Sequence, residues 1–100
     1  MELKLQPEHL RIVLDIFARH APGAEVWAYG SRVCGHAHAA SDLDLVIRGR
    51  EKLPRRTLSA LHTAFAESAL PIQVHLFDWF GLPAAFHEEI ACGHVTIQPP

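Results

Sequence analysis

The chain has no apolar run long enough to span a bilayer, and its first residues, Met-Glu-Leu-Lys-Leu-Gln-Pro-Glu-His-Leu, lack the apolar core of a secretory signal. Both absences point to the cytoplasm. An excess of one charge is also missing. Lys and Arg number 9 against 11 Asp and Glu, a net charge of −2, so no basic surplus exists to neutralise a phosphate backbone, and direct nucleic-acid binding is not expected. Cysteine is scarce: only Cys34 and Cys92 occur, and in a chain without an export signal they are expected to stay reduced. Repeats, low-complexity tracts and linker-like stretches are absent as well. The 100 residues suffice for one core but not for a second lobe. One domain spanning residues 1–100 is therefore expected, and a bulky acceptor or partner has to come from another chain.

What is present is a chain that is 49% apolar and regularly punctuated. Pro7 suits the first turn of a helix, after which Leu10, Val13, Leu14 and Phe17 recur at helical spacing, with Ile12 and Ile16 widening the face. Ala21-Pro22-Gly23 stops it. A short strand is expected at Glu25 to Tyr29, then a helical turn opened by Ser31 and Arg32 and running into Gly35, an alanine-rich loop from His36 to Ser41, and a second strand from Asp42 to Arg48. Pro54 starts a second main helix with Leu58, Leu61 and Phe65 inward, ended by Pro71. A third strand, Ile72 to Asp78, leads through Gly81 and Pro83 to a helix with Phe86 and Ile90 one turn apart. Gly93 closes that helix ahead of a last strand from His94 to Ile97. This order describes an α/β (α+β) domain, a small mixed sheet with helices packed mainly on one face.

The stretch from Val26 to Ile47 carries the chemistry. Side chains alternate faces along a strand, so Asp42 and Asp44 project together while Leu43, Leu45 and Ile47 point the other way. Gly30 and Ser31, at the end of the preceding strand, offer close backbone approach, amide groups and a hydroxyl, the parts of a phosphate cradle. Arg32 could add positive charge there, or could equally be a solvated arginine. Taken alone, an Asp-Leu-Asp strand is what a half-buried strand with one wet face looks like, and Gly-Ser is an ordinary turn. Gly30-Ser31, ten intervening residues, then Asp42-Leu43-Asp44, with apolar strands around both, is more specific: it suggests metal-assisted chemistry on a phosphate. Cys34, His36, His38, Cys92 and His94 are metal-capable types too, but Cys-x-His-x-His lacks the paired spacing of a structural zinc site.

The segment from Gly30 to Leu45, Gly-Ser-Arg-Val-Cys-Gly-His-Ala-His-Ala-Ala-Ser-Asp-Leu-Asp-Leu, resembles the signature of the minimal nucleotidyltransferases, small members of the DNA polymerase β superfamily. The similarity continues through Ala64 to Trp79 and the closing helix. The resemblance implies a palm-like mixed sheet and transfer of a nucleoside monophosphate from a nucleoside triphosphate to an acceptor. It implies Mg²⁺ or Mn²⁺ held by Asp42 and Asp44, and a triphosphate held by Gly30 and Ser31 with Arg32 and Ser41 beside them. Members of this family also pair, as antitoxins of two-component systems, with a separate helical protein of the HEPN or substrate-binding type, so an oligomer, hetero- or homo-oligomeric, is implied. The exposed-aromatic candidates for such a partner are Phe77, Trp79, Phe80 and Phe86, although core packing is the ordinary role for residues of this kind.

The sequence departs from the family at one place. Members carry a third carboxylate on the next strand, in a pattern like Val-Asp-x-x-Asp-Trp, whereas this chain reads Val74-His75-Leu76-Phe77-Asp78-Trp79. His75 occupies the third catalytic position. Asp78 is a poor substitute, because three residues along a strand reverse the facing direction and shift a side chain by roughly 10 Å. Three readings stay open: nucleotide binding with slow or absent transfer, His75 as general base, or His75 as ligand to a softer metal such as manganese or zinc.

Overall fold

The computed structural model describes residues 2–35, 37 and 40–100. Helix α1, Pro7–His20, has Pro7 in its first turn, Glu8 beside its positive end and Arg19 and His20 in its last turn, an arrangement that complements the helix dipole. Strand β1, Glu25–Tyr29, the one-turn helix α2, Ser31–Cys34, and strand β2, Leu43–Arg48, follow. Helix α3, Arg55–Ala66, strand β3, Val74–Asp78, a 3₁₀ turn at Trp79–Gly81, helix α4, Ala84–Cys92, and strand β4, His94–Gln98, complete the chain. Several expected boundaries move: β3 begins at Val74 instead of Ile72, and β4 runs on to Gln98. Asp42 lies just before β2. Helix α3 ends at Ala66, ahead of Pro71, where the Ser68 hydroxyl donates to the Phe65 carbonyl at 2.7 Å and so satisfies an end group of the last turn.

The four strands form one mixed sheet in the order β3-β2-β1-β4. β1 is antiparallel to both β2 and β4, while β2 and β3 run parallel and are joined through α3, as a parallel pair requires. Alternation then assigns the faces. Val26, Ala28, Leu43, Leu45, Ile47 and Leu76 meet Val13, Ile16 and Phe17 of α1 and Leu61 and Phe65 of α3 in the main core. The Phe17 and Phe65 rings meet edge to face, their centroids 5.6 Å apart.

Helices α1 and α3 cover that face, and α4 does not join them. Trp27 and Val46, on the opposite face, form a second buried cluster with Ile90 of α4, flanked by Tyr29, Trp79 and Leu82. The physical cause is that β1 and β2 are apolar on both faces at their centre, so the second face needs a cover of its own. Phe86 and Ile90 do not act as one buried stripe: Ile90 is 2% exposed and Phe86 49%. The cover is pinned by a stack. The Arg48 guanidinium sits 4.3 Å from the Trp27 ring and 4.5 Å from the Trp79 ring. His94 stacks on Trp27, and His87 on Trp79.

Candidate active site

The second sheet face, where α4 does not cover it, carries the candidate site. Register places His75 of β3 beside Asp44 of β2, and Asp44 beside Tyr29 of β1. All three face away from the main core by strand alternation. Asp42, one residue ahead of β2, is exposed and reaches His75: His75 Nε2 lies 2.9 Å from Asp42 Oδ2. An ionised carboxylate only accepts, so Nε2 donates, which leaves Nδ1 as the ring's lone-pair nitrogen when the imidazole is neutral.

Asp44 sits deeper. Burial holds its carboxyl above the usual carboxylate range; the neighbouring Asp42 pushes in the same direction and His75 opposes. Tyr29 is pushed up to about 12, by burial first and then by the carboxylates of Asp44 and Glu89. Tyr29 and Glu89 were not among the residues singled out from the sequence. The Trp27-x-Tyr29 alternation was the signal available for Tyr29; nothing local marks Glu89.

Gly30 explains how backbone can come close to Asp44. Its φ of 80° and ψ of −153° lie in a region that only glycine occupies readily. A methyl group built on it would collide with Asp44 Oδ2. Ser31 then opens α2, and the Gly30 carbonyl accepts from the amides of Val33 and Cys34 at 3.0 and 3.1 Å.

Arg32 and Ser41 have a different geometry from a charge aimed at a phosphate. The buried Arg32 donates from Nε and Nη2 to the Ser41 carbonyl at 3.1 and 2.9 Å and from Nη1 to the Lys4 carbonyl at 2.8 Å. The amide of Lys4 returns a bond to the Arg32 carbonyl at 2.7 Å. Arg32 thus ties the segment before Asp42 and the N-terminal segment to α2. Asp78, as alternation requires, points away from the site: its Oδ2 accepts from the Leu53 amide at 2.9 Å and its Oδ1 from the Phe80 amide at 3.2 Å. It caps the 3₁₀ turn.

Of the cysteines and histidines weighed for zinc, His36 and His38 lie outside the described residues. Among the described residues, no three His, Cys, Asp or Glu side chains converge in metal-holding geometry. The aromatic candidates divide. Phe77, Phe80 and Phe86 are 38%, 49% and 49% exposed, so core packing is not their role, whereas Trp79 is partly buried against Trp27, His87 and Arg48. No helix among the described residues is long and apolar enough to cross a membrane.

A mixed four-stranded sheet with a glycine turn opposite two carboxylates defines a class, and comparison with known proteins identifies it. The model of the nucleotidyltransferase domain matches residues 10–92, and the chain belongs to that family. Over 97 residues it is 42% identical to a Haemophilus influenzae protein described as a probable protein adenylyltransferase, MntA; the match spans 97% of this chain and 85% of that protein. Among solved structures it is similar to a toxin–antitoxin with AMP-PNP, at a TM-score of 0.75 and 18% identity over 91% of this chain and 73% of that one. It is also similar to a chain of a complex between a tri-AMPylated Shewanella oneidensis HEPN toxin and an MNT antitoxin, at a TM-score of 0.71 and 15% identity over 96% and 74% of the two chains. At these identities the structural likeness concerns the fold.

Proposed function

We propose that this chain is the nucleotide-transferring half of a two-component pair, moving the nucleoside monophosphate of a triphosphate, ATP by analogy with its adenylyltransferase relative, to a hydroxyl on a helical HEPN-type partner. The observation that carries this reading is the packing of Gly30 against Asp44. A positive-φ glycine stands where any side chain would strike the carboxylate, so the Gly-Ser turn and the Asp44 carboxylate are held side by side, as a phosphate cradle next to a carboxylate requires. The described activities of the relatives, a probable protein adenylyltransferase and antitoxins of HEPN toxins, support the same assignment.

In the transfer, the acceptor oxygen attacks the α-phosphorus, the bond to the bridging oxygen breaks, and pyrophosphate leaves. Gly30 and Ser31 would bind the phosphates by close backbone approach and a hydroxyl. The family implies a divalent cation, and the donor set fits one. Asp42 and Asp44 offer hard carboxylate oxygens on one strand face, and magnesium or manganese commonly takes one or two carboxylates together with substrate phosphates. When bound, the cation neutralises phosphate charge and aligns the displacement. Asp42 can give one oxygen to it while the other holds His75 in the tautomer whose Nδ1 accepts the acceptor's proton. Partner docking is supported by the exposed rings of Phe77 and Phe80, since aromatic residues are enriched at interaction surfaces.

The His75–Asp42 hydrogen bond also favours a second reading, in which the chain binds nucleotide and partner with little or no turnover. A neutral ring replaces a charge at the third position and engages one of the remaining carboxylates. The two readings separate in one assay. Purified chain, the HEPN-type partner, magnesium and labelled ATP should yield labelled partner, and Asp44→Ala should abolish it. A silent wild type beside an active His75→Asp variant assigns the chain to binding alone.

A further inference from the structure

Beside the carboxylates, on the α4 side, lies a cavity of about 320 Å³, within the size of small-molecule sites. Tyr29 and Gly30 line it together with Cys34, Phe86, Glu89, Ile90 and Gly93. Gly30 packs its backbone against the Asp44 carboxylate and Tyr29 pairs with Asp44 across the strands, so the cavity borders the proposed phosphate and metal position. Its walls are mainly apolar. Ile90 is buried at its base, and Phe86, half exposed, presents a ring to it. Its polar groups are few: the Glu89 carboxylate and the Tyr29 hydroxyl, which lies in the field of both Glu89 and Asp44.

We propose that this cavity is the nucleobase site, with Phe86 stacking on the base and Glu89 accepting a hydrogen bond from an exocyclic amino group, a combination that selects an amino-bearing purine such as adenine. The assignment rests on the reading that Asp42 and Asp44 serve a nucleoside triphosphate. An apolar slot suits a base because every base has a flat π-face to stack. A slot that shares Gly30 with the phosphate site lets one ligand reach both. Glu89 has no donor of its own, so it discriminates by what the base offers: adenine brings an N–H₂ group and hypoxanthine an oxygen at the same position.

Cys34 provides a readout that does not depend on catalysis. Both thiols are exposed, but only Cys34 lines the cavity, so Cys92 serves as an internal reference. Alkylation by N-ethylmaleimide is followed by mass spectrometry with magnesium and either ATP or inorganic tripolyphosphate, which carries the phosphates without a base. With ATP at about ten times its Kd, about one molecule in eleven is free, so Cys34 alkylation should slow about tenfold. Cys92 should stay unchanged, and tripolyphosphate should leave Cys34 near its free rate. Phe86→Ala should weaken ATP about tenfold without affecting tripolyphosphate. ITP should bind about tenfold more weakly than ATP to the wild type, and equally to Glu89→Ala.

If ATP and tripolyphosphate both bind in an Asp44-dependent way while ATP leaves Cys34 unprotected, the base lies elsewhere; the proposal is overturned and the nucleotide reading survives. Equal affinity of the wild type for ATP and ITP overturns the role given to Glu89. If neither ATP nor tripolyphosphate binds, the cavity assignment and the nucleotide reading fall together.

Discussion

His75 Nε2 lies 2.9 Å from Asp42 Oδ2, and in the parallel pairing of β2 and β3 His75 stands directly beside Asp44. A single imidazole therefore engages one carboxylate and neighbours the other, on the face where the family carries a third acid. Its hydrogen bond to Asp42 stands where a third carboxylate would add negative charge beside the proposed cation. A charge pair at 4 Å and an effective dielectric of 20 is worth about 4 kcal/mol, so His75→Asp should raise transfer to the partner by up to roughly a thousandfold. The same variant should melt below the wild type when magnesium is withheld, because three carboxylates then face one another. Single-turnover rates, together with melts with and without magnesium, check both halves.

Gly30→Ala should lose nucleotide binding and stability together. Its backbone region costs a non-glycine residue about 1–3 kcal/mol, and the added methyl meets Asp44 Oδ2. Gly23 separates strain from collision: its φ is 82°, yet nothing lies within 4 Å of an added Cβ. Gly23→Ala should lower Tm while leaving ATP affinity unchanged, as calorimetry and ATP titration can establish.

Asp44→Asn should stabilise the ligand-free protein while abolishing transfer. A carboxyl whose folded pKa is raised favours the folded state in its neutral form. That contribution is full below the unfolded value of about 3.8 and is lost as pH rises through the raised folded value. At neutral pH the ionised, half-buried Asp44 therefore disfavours folding, and the amide removes that cost. Solvent screening of the half-buried carboxyl keeps the gain small, so it should appear as a modest rise in Tm. It should vanish when the melts are repeated below pH 3.8.

Arg32→Met should destabilise the chain by about 2–3 kcal/mol, since it strands the buried Ser41 carbonyl and frees the part-buried Lys4 carbonyl that the guanidinium also serves. Arg32→Lys should recover only part of this, because one ammonium cannot span both the Ser41 and Lys4 carbonyls. Denaturant unfolding of the three proteins orders them wild type, Lys, Met.

Much of this was legible in the sequence, because the strands are short and alternate cleanly. Alternation alone put Asp42 with Asp44, turned Asp78 away from His75 and located the main core. What stayed hidden depends on contacts distant along the chain. Arg32 reads as a cation beside a phosphate turn, yet its partners Ser41 and Lys4 are 9 and 28 residues away. Helix α4 reads as another helix on the common face, since no local pattern shows that Trp27 and Val46 leave the opposite face in need of cover. Tyr29 and Glu89 come together only when that cover is in place.

The most direct test of the central claim is transfer of labelled adenylate from ATP to the purified HEPN-type partner in the presence of magnesium, comparing the wild type with Asp44→Ala. Label on the partner that disappears in Asp44→Ala is the predicted result. Label that persists in Asp44→Ala, or an absence of label with the wild type, contradicts it.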